Sequence, residues 1–247
     1  MLTDYERERY NRQIIMKGFG DNGQEKLKKA RVVVAGCGGL GSPIAYYLAA
    51  AGIGTIRLID EDSVDISNLN RQILHWDSDI GRPKVTSAFE KVTKLNPSIT
   101  VEPVQATIDE SNVFELTEGF DMIIDAMDNL AARFLLNQAA IKHNIPFIHG
   151  AIQGYEGRVT TILPGKTACL RCIYRGDVPT NTFPVIGATP GVVGCIQVTE
   201  AIKYLTGMGD LLENRLLIYD GLSMKFMELK VARDPECPHC GGFNSSQ

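Results

Sequence analysis

The chain lacks most of what would take a protein to a membrane or a nucleic acid. It holds no run of about 18 apolar residues, the length a membrane helix needs. Its N-terminus, "MLTDYERERYNRQ", is too polar for a signal peptide, so the expected location is cytoplasmic. Lys and Arg number 25 against 29 Asp and Glu, a formal charge of -4, which leaves no basic excess to meet phosphate backbones. The local run Lys26, Lys28, Lys29, Arg31 reads as a solvated helix face. No Gly-Lys-Ser/Thr follows a glycine loop, which argues against a Walker-type site. There is no internal repeat and no low-complexity tract. Cysteines number only six, and with nothing directing secretion they are not expected to pair as disulfides.

What is present is an ordinary globular composition, in a length that suits one large domain or two small ones. Residues 1–30 read as helical and polar. Thr3 and Glu6 have capping-box spacing, and Gly18, Gly20 and Gly23 are expected to break the chain into turns. "RVVVAG" reads as a strand, "SPIAYYLAAAG" as a helix ended by Gly52, and "TIRLID" as a second strand. The polar segment "EDSVDISNLNRQILHWDSDIG" follows, and Pro83 is expected to open a helix at its first position. On that helix Val85, Ala88, Phe89, Val92 and Leu95 share a face. "TVEPVQA", "FDMIIDAMDN" and "PFIHG" read as strands, with a helix around Leu130–Lys142. Alternation of this kind predicts a Rossmann-like, mostly parallel sheet with helices on both faces. Beyond residue 150, "GRVTTIL", "RLLIYDG" and "KFMELKVA" read as antiparallel strands. Gly176–Thr189 reads as a loop across the active face. Gly191–Gly207 reads as a helix with Val193, Ile196, Gln197, Glu200, Ala201 and Tyr204 on one side.

The glycines Gly36, Gly38, Gly39 and Gly41 spell Gly-x-Gly-x-x-Gly between a strand and a helix. There they permit a sharp turn and a close approach of backbone to phosphate, with the helix N-terminus supplying positive dipole. Asp60 ends the next strand, where a carboxylate can bind ribose hydroxyls. A glycine turn used only for helix–strand packing is the plain alternative. The motif alone leaves NAD, FAD and ATP open. Arg71, Lys84, Asp128 and Asn129 favour ATP, because splitting a triphosphate needs cations and usually Mg2+, which Asp128 can hold through oxygen. Taken singly, Arg71 and Lys84 can be surface ion pairs and Asp128 a helix cap.

Two Cys-x-x-Cys pairs, Cys169 with Cys172 and Cys237 with Cys240, stand 64 residues apart. Four thiolates make a closed tetrahedral Zn2+ site with no vacancy for water, hence a structural one. His239 is a competing ligand, an iron–sulfur centre is permitted by the same residues, and a redox dithiol is the non-metal alternative. Cys37 reads as small packing, and Cys195 as buried and inert.

Taken together, "RYNRQI", "GCGGLGS", "DEDSVDISNLNRQ", "GRPK", "DAMDN", the cysteine pairs and "GATPGVVGCIQVTEAIKYLTG" resemble the ThiF, MoeB and HesA group, prokaryotic relatives of the ubiquitin-activating enzymes. The resemblance runs over residues 8–241, in order. It implies ATP-dependent adenylation of the C-terminal glycine of a small ubiquitin-like sulfur carrier, for thiamine or molybdopterin synthesis. It further implies Gly39 against the phosphates, Asp60 on the ribose, and Asn68, Arg71 and Lys84 on the triphosphate. Asp62 and Ser67 belong to the same nucleotide-binding set. Asp128 would hold Mg2+ beside Asn129, and Arg12 would reach across a homodimer into the partner's site. The four cysteines would match the family's structural zinc, one per chain. The implied organisation is an N-terminal helical arm, 1–30, and one adenylation domain, 31–247. Within it a nucleotide-binding half covers 31–150 and a carrier- and zinc-binding half 151–241.

One departure stands out. Many members carry a cysteine in the loop before "GATPG", and "YRGDVPTNTFPVIG" has none, so sulfur is expected from a separate donor protein. The rivals are an adenylating relative acting on a tRNA base or a peptide, an NAD- or FAD-dependent oxidoreductase, and a non-catalytic scaffold. A tRNA substrate would want a basic face, and an oxidoreductase leaves Arg71, Lys84 and Asp128 unexplained as a set.

Overall fold

The computed structural model describes residues 1–175 and 184–242. Part of the expected crossing loop, 176–183, and the tail 243–247 lie outside the described residues. One sheet of eight strands runs in the order β3-β2-β1-β4-β5-β6-β7-β8. The strands β1 (Arg31–Ala35), β2 (Thr55–Ile59), β3 (Thr100–Val104), β4 (Met122–Asp125) and β5 (Phe147–Gln153) are parallel. β6 (Glu156–Ile162), β7 (Arg215–Asp220) and β8 (Lys225–Lys230) extend the sheet antiparallel. The expected Rossmann-like arrangement with an antiparallel continuation is therefore the one adopted.

β1 and β4 are nearly uninterrupted apolar runs because both faces of the sheet are covered there. Val32 and Val34 enter one cluster with Ile44 and Leu48, on α4 (Gly41–Ala51). Val33 and Ala35 point the other way, toward Leu136 and Ala140 of α7 (Leu130–His143). The first face also carries α5 (Lys84–Leu95) and the long α9 (Ala188–Thr206). The second carries α6 (Val113–Thr117) and the one-turn α8 (Leu170–Ile173). The chain leaves β1 toward β2 and β3, then returns to β4 on the other side. That reversal opens a crevice at the C-terminal ends of β1 and β4, where ligands sit in folds of this kind.

The arm holds α1 (Asp4–Arg9), α2 (Asn11–Ile14) and α3 (Gly20–Lys29). The Thr3–Glu6 capping box forms: the Glu6 amide donates to Thr3 Oγ1 at 3.2 Å and the Thr3 amide to Glu6 Oε2 at 2.8 Å. Four local expectations are corrected. Gly23 lies inside α3, where a β-carbon would stand 2.9 Å from the Phe19 ring, so its smallness serves packing and not a turn. Pro83 caps α5 from outside, with φ -54° and ψ 133°, and the helix opens at Lys84. α9 begins at Ala188, so Thr189 is helical. Tyr204 is 39% exposed, because the last turn of α9 faces α3 with Ile202 and Leu205, and Lys26 donates there to the Thr206 carbonyl at 2.8 Å. Among the described residues no helix is long and apolar enough to cross a membrane.

Candidate active site

A cavity of about 710 Å³ opens at the crevice. Its near wall is the turn after β1. Gly36 takes φ +103°, a left-handed conformation that favours glycine, and a β-carbon on Gly41 would stand 2.0 Å from the Gly36 carbonyl. The turn can close only with glycine at both positions. Asp60 then ties the turn to β2: the Cys37 amide donates to its Oδ2 at 2.7 Å, and the Asp62 amide to its Oδ1 at 2.9 Å. Burial pushes the Asp60 carboxyl above the usual range, and Lys84 and these two amides oppose the rise. From behind, His75 Nε2 meets the Cys37 carbonyl at 2.9 Å and its Nδ1 meets Ser87 Oγ at 2.9 Å. Burial holds His75 below its ordinary value, and the turn is thus backed by a largely neutral imidazole.

The polar segment folds into two short 3-10 turns, one at Ile66–Asn68 and one at Asp77–Asp79. Asp65 caps the first turn, accepting from the Ser67 amide at 2.8 Å, while Asn68 Oδ1 accepts from the Asp65 amide at 3.1 Å. Arg71 follows on the cavity wall, with Nη1 donating to the Ser67 carbonyl at 2.8 Å. Lys84 is buried to 5% exposure and donates to Asp62 Oδ2 at 2.8 Å. Gln72 is 5% exposed, lines the cavity, and its Oε1 has no partner among the described residues. An unpaired buried amide beside a glycine turn fits a wall that a polar ligand completes.

The structure therefore brings Gly36, Gly38, Gly39, Asp60, Asp62, Arg71, Lys84, Asp128 and Asn129 to one cavity. Asp128 is exposed on that wall, and Asn129 caps α7 by accepting from the Ala132 amide at 2.8 Å. Gly41, Ser67 and Asn68 do not line the cavity: Gly41 is buried at the start of α4, while Ser67 is exposed and Asn68 half-buried on the 3-10 turn before Arg71. Arg12 is exposed on α2 and does not line this cavity.

The cysteines of the two pairs meet on the second face of the sheet, all buried, with their sulfurs within 4.8 Å of one another. Cys169–Cys172, Cys169–Cys237 and Cys172–Cys240 are 3.9, 3.6 and 3.5 Å apart. A tetrahedron with Zn–S bonds near 2.3 Å has edges of about 3.8 Å, so the spacing fits a four-thiolate metal site. Burial pushes Cys240 up to about 11, and Cys169 is also raised, first by burial. Burial acts in the same sense on Cys237, but the amides of His239 and Cys240 outweigh it and the thiol sits low. His239 turns away from the sulfurs, its ring nitrogens 3.2 Å from Asn137 and 3.3 Å from Gln138. Cys37 is buried as expected. Cys195 is not fully buried: it lines an apolar cleft between α9 and Phe226, and burial raises its thiol.

Several polar groups on the far side of the cavity were not singled out from sequence. Asp125, at the end of β4, is fully buried. Arg133, Arg158 and Tyr174 line the cavity from three different elements or their flanks. The one signal in the sequence was an acid ending an apolar strand, in "MIIDA".

With this geometry, comparison with known proteins is decisive for the class. The ThiF family profile matches residues 10–239, most of the chain. The chain is 46% identical over 240 residues to the SAMP-activating enzyme E1 of Haloferax volcanii, covering 95% of this chain and 88% of that one. It is 41% identical over 246 residues to the molybdopterin-synthase adenylyltransferase of Escherichia coli, covering 97% and 98%. A crystal structure of Escherichia coli MccB with ATP superposes with a TM-score of 0.79 at 25% identity, over 90% of this chain and 69% of that one. The chain belongs to the ThiF family, within the E1-like adenylating enzymes. It is an adenylyltransferase.

Proposed function

We propose that the chain adenylates the C-terminal glycine of a small ubiquitin-like sulfur-carrier protein, for thiamine or molybdopterin synthesis. The observation that carries the reading is the lining of the cavity. One cavity is bounded both by Asp60 and the glycine turn and by Gln153, Glu156, Arg158 and Tyr174. A nucleotide and a chain end can lie there end to end.

In this reading Asp60 binds the ribose and Gly39 lies against the phosphates, while Asn68, Arg71 and Lys84 address the triphosphate. Asp62 and Ser67 hold Lys84 and Arg71 in place. The acceptor's carboxylate oxygen attacks the α-phosphorus, the bond to the β-phosphate oxygen breaks, and pyrophosphate leaves with the electron pair. The product is an acyl-adenylate, and no proton need be moved. Because the substrate supplies the nucleophile, the protein contributes position and a cationic field. Asp128, with Asn129 beside it, offers the hard oxygen that Mg2+ prefers, and the ion would neutralise phosphate charge. The four cysteines would hold one structural Zn2+. Arg12, exposed on α2, would complete the partner's site in a homodimer. A separate protein would deliver sulfur to the adenylated carrier.

A peptide acceptor is the second reading, set beside the likeness to MccB, which has also been solved with MccA. ATP–pyrophosphate exchange separates the two. Each Gly-Gly-ending carrier of the same genome is tested singly, beside a short peptide. Exchange that depends on one carrier is the expected result. Exchange with the peptide alone would move the assignment to peptide modification.

A further inference from the structure

A chain of polar groups runs from the end of β4 to the cavity at Tyr174. Asp125 is 0% exposed, and its Oδ1 accepts from the Met127 amide at 3.0 Å. Its Oδ2 lies 2.6 Å from His149 Nδ1 and 3.3 Å from Arg133 Nε. A carboxylate so surrounded by donors fixes the imidazole: Nδ1 carries the proton and Nε2 is bare. His149 is also 0% exposed, and burial depresses its ordinary value, which keeps the ring neutral. Its bare Nε2 is 3.2 Å from the Tyr174 hydroxyl, which must therefore donate. The ring is held in place by Phe147, stacked at 6.4 Å, and by Tyr174 itself, edge-on at 5.6 Å.

Tyr174 lines the cavity, and with its proton committed inward its oxygen is left as an acceptor only. Arg158 lines the same cavity and is anchored by Glu156, with Nε donating at 2.8 Å. An aimed acceptor beside a guanidinium donor matches the alternating N–H and C=O of an extended peptide. A purely structural network would end inside the core, whereas this one ends on the cavity wall.

We propose that Tyr174 is a positioning residue for the acceptor: its oxygen, aimed by His149 and Asp125, accepts an N–H from the acceptor's C-terminal tail, and Arg158 takes a tail carbonyl. The proposal rests on the carrier reading above. Its test uses the full chain, ATP, and each Gly-Gly-ending carrier of the same genome in pyrophosphate exchange. Tyr174→Phe keeps the ring against His149 and removes the oxygen. It is expected to raise the carrier's KM by about five- to tenfold, the worth of one neutral hydrogen bond. The KM for ATP is expected to stay within twofold. His149→Ser should raise the carrier's KM through Tyr174, so the double variant should be no worse than Tyr174→Phe alone. A carrier KM unchanged in Tyr174→Phe, or a matching rise in the KM for ATP, overturns the proposal. Fully additive effects in the double variant remove His149 from it. If His149→Ser lowers the thermal midpoint too far to assay, Tyr174→Phe decides alone. A wild-type chain that exchanges with no carrier overturns the carrier reading itself, and this assignment with it, which distinguishes the two failures.

Discussion

The two walls of the cavity are built differently. The nucleotide wall is local: Gly36 to Lys84 is one continuous stretch, and most of its hydrogen bonds involve backbone amides or carbonyls within it. The acceptor wall is assembled from distant places: Asp125 from β4, His149 from β5, Arg158 from β6 and Tyr174 from just beyond α8. Its bonds are mostly between side chains, running from the buried Asp125–His149 pair to the part-buried Tyr174 and Arg158. A wall of backbone amides suits phosphate and ribose, which every nucleotide shares. A wall of side chains is where an enzyme can be fitted to one acceptor. On the assignment proposed above, catalysis and acceptor choice are held by separable parts of the same crevice.

Variants that separate the walls sharpen that comparison, and those that affect both would break it. The largest effect is expected from Asp128→Ala, between the walls. Pyrophosphate exchange should fall by at least about a hundredfold. The thermal midpoint should hold, since the side chain is exposed. Near-wild-type exchange with Mg2+ would remove Asp128 from the chemistry. Next is Cys240→Ser, which acts on the face that carries Tyr174. Metal analysis of fresh protein should fall from about one zinc per chain to none. Stability in urea should drop by roughly 2–5 kcal/mol, as when a native disulfide is removed. A metal-free wild-type protein would sink the zinc assignment.

Asp60→Asn tests the nucleotide wall alone. ATP affinity by titration calorimetry should weaken about tenfold, the scale of a charge-assisted hydrogen bond to ribose. The carrier's KM should not move, and an equal loss on both would deny that the walls are separable. The last effect is on stability alone and concerns the support behind the nucleotide wall. Burial pushes Asp79 up, but hydrogen bonds from Lys91, the Trp76 amide and Ser87 outweigh it and bring the carboxyl down to about 2. A depressed carboxylate contributes stability above its unfolded value and loses it as pH falls through its folded one. Between pH 4 and 2 about 2 kcal/mol should therefore disappear. Asp79→Asn should flatten that part of the stability profile, and an unchanged acid limb would contradict the assignment.

The same contrast explains what was legible in the sequence. The glycine turn and Asp60 could be read because spacing along one strand–turn–helix–strand unit fixes where they lie, and Arg71 and Lys84, beyond that unit, because a triphosphate needs cations and the motifs around them resemble the family's. The four cysteines could be read because each pair is a local motif and sulfur chemistry limits their partner. Asp125 and His149 could not, since nothing in "MIIDA" or "PFIHG" says that the two strands are neighbours with those side chains facing each other. Tyr174 sits beyond a zinc-type motif that explains its surroundings without it. The misplaced helix starts lie at contacts distant in sequence: Pro83 bridges Ser63 in extended form, and Thr189 Oγ1 donates to the Gly154 carbonyl at 3.0 Å.

The measurement closest to the central claim is intact-mass analysis of each Gly-Gly-ending carrier after incubation with this chain, ATP and Mg2+. The account predicts one carrier that gains a single AMP on its terminal glycine, and no gain when that glycine is deleted. No AMP on any carrier, from protein that still binds ATP, would contradict it.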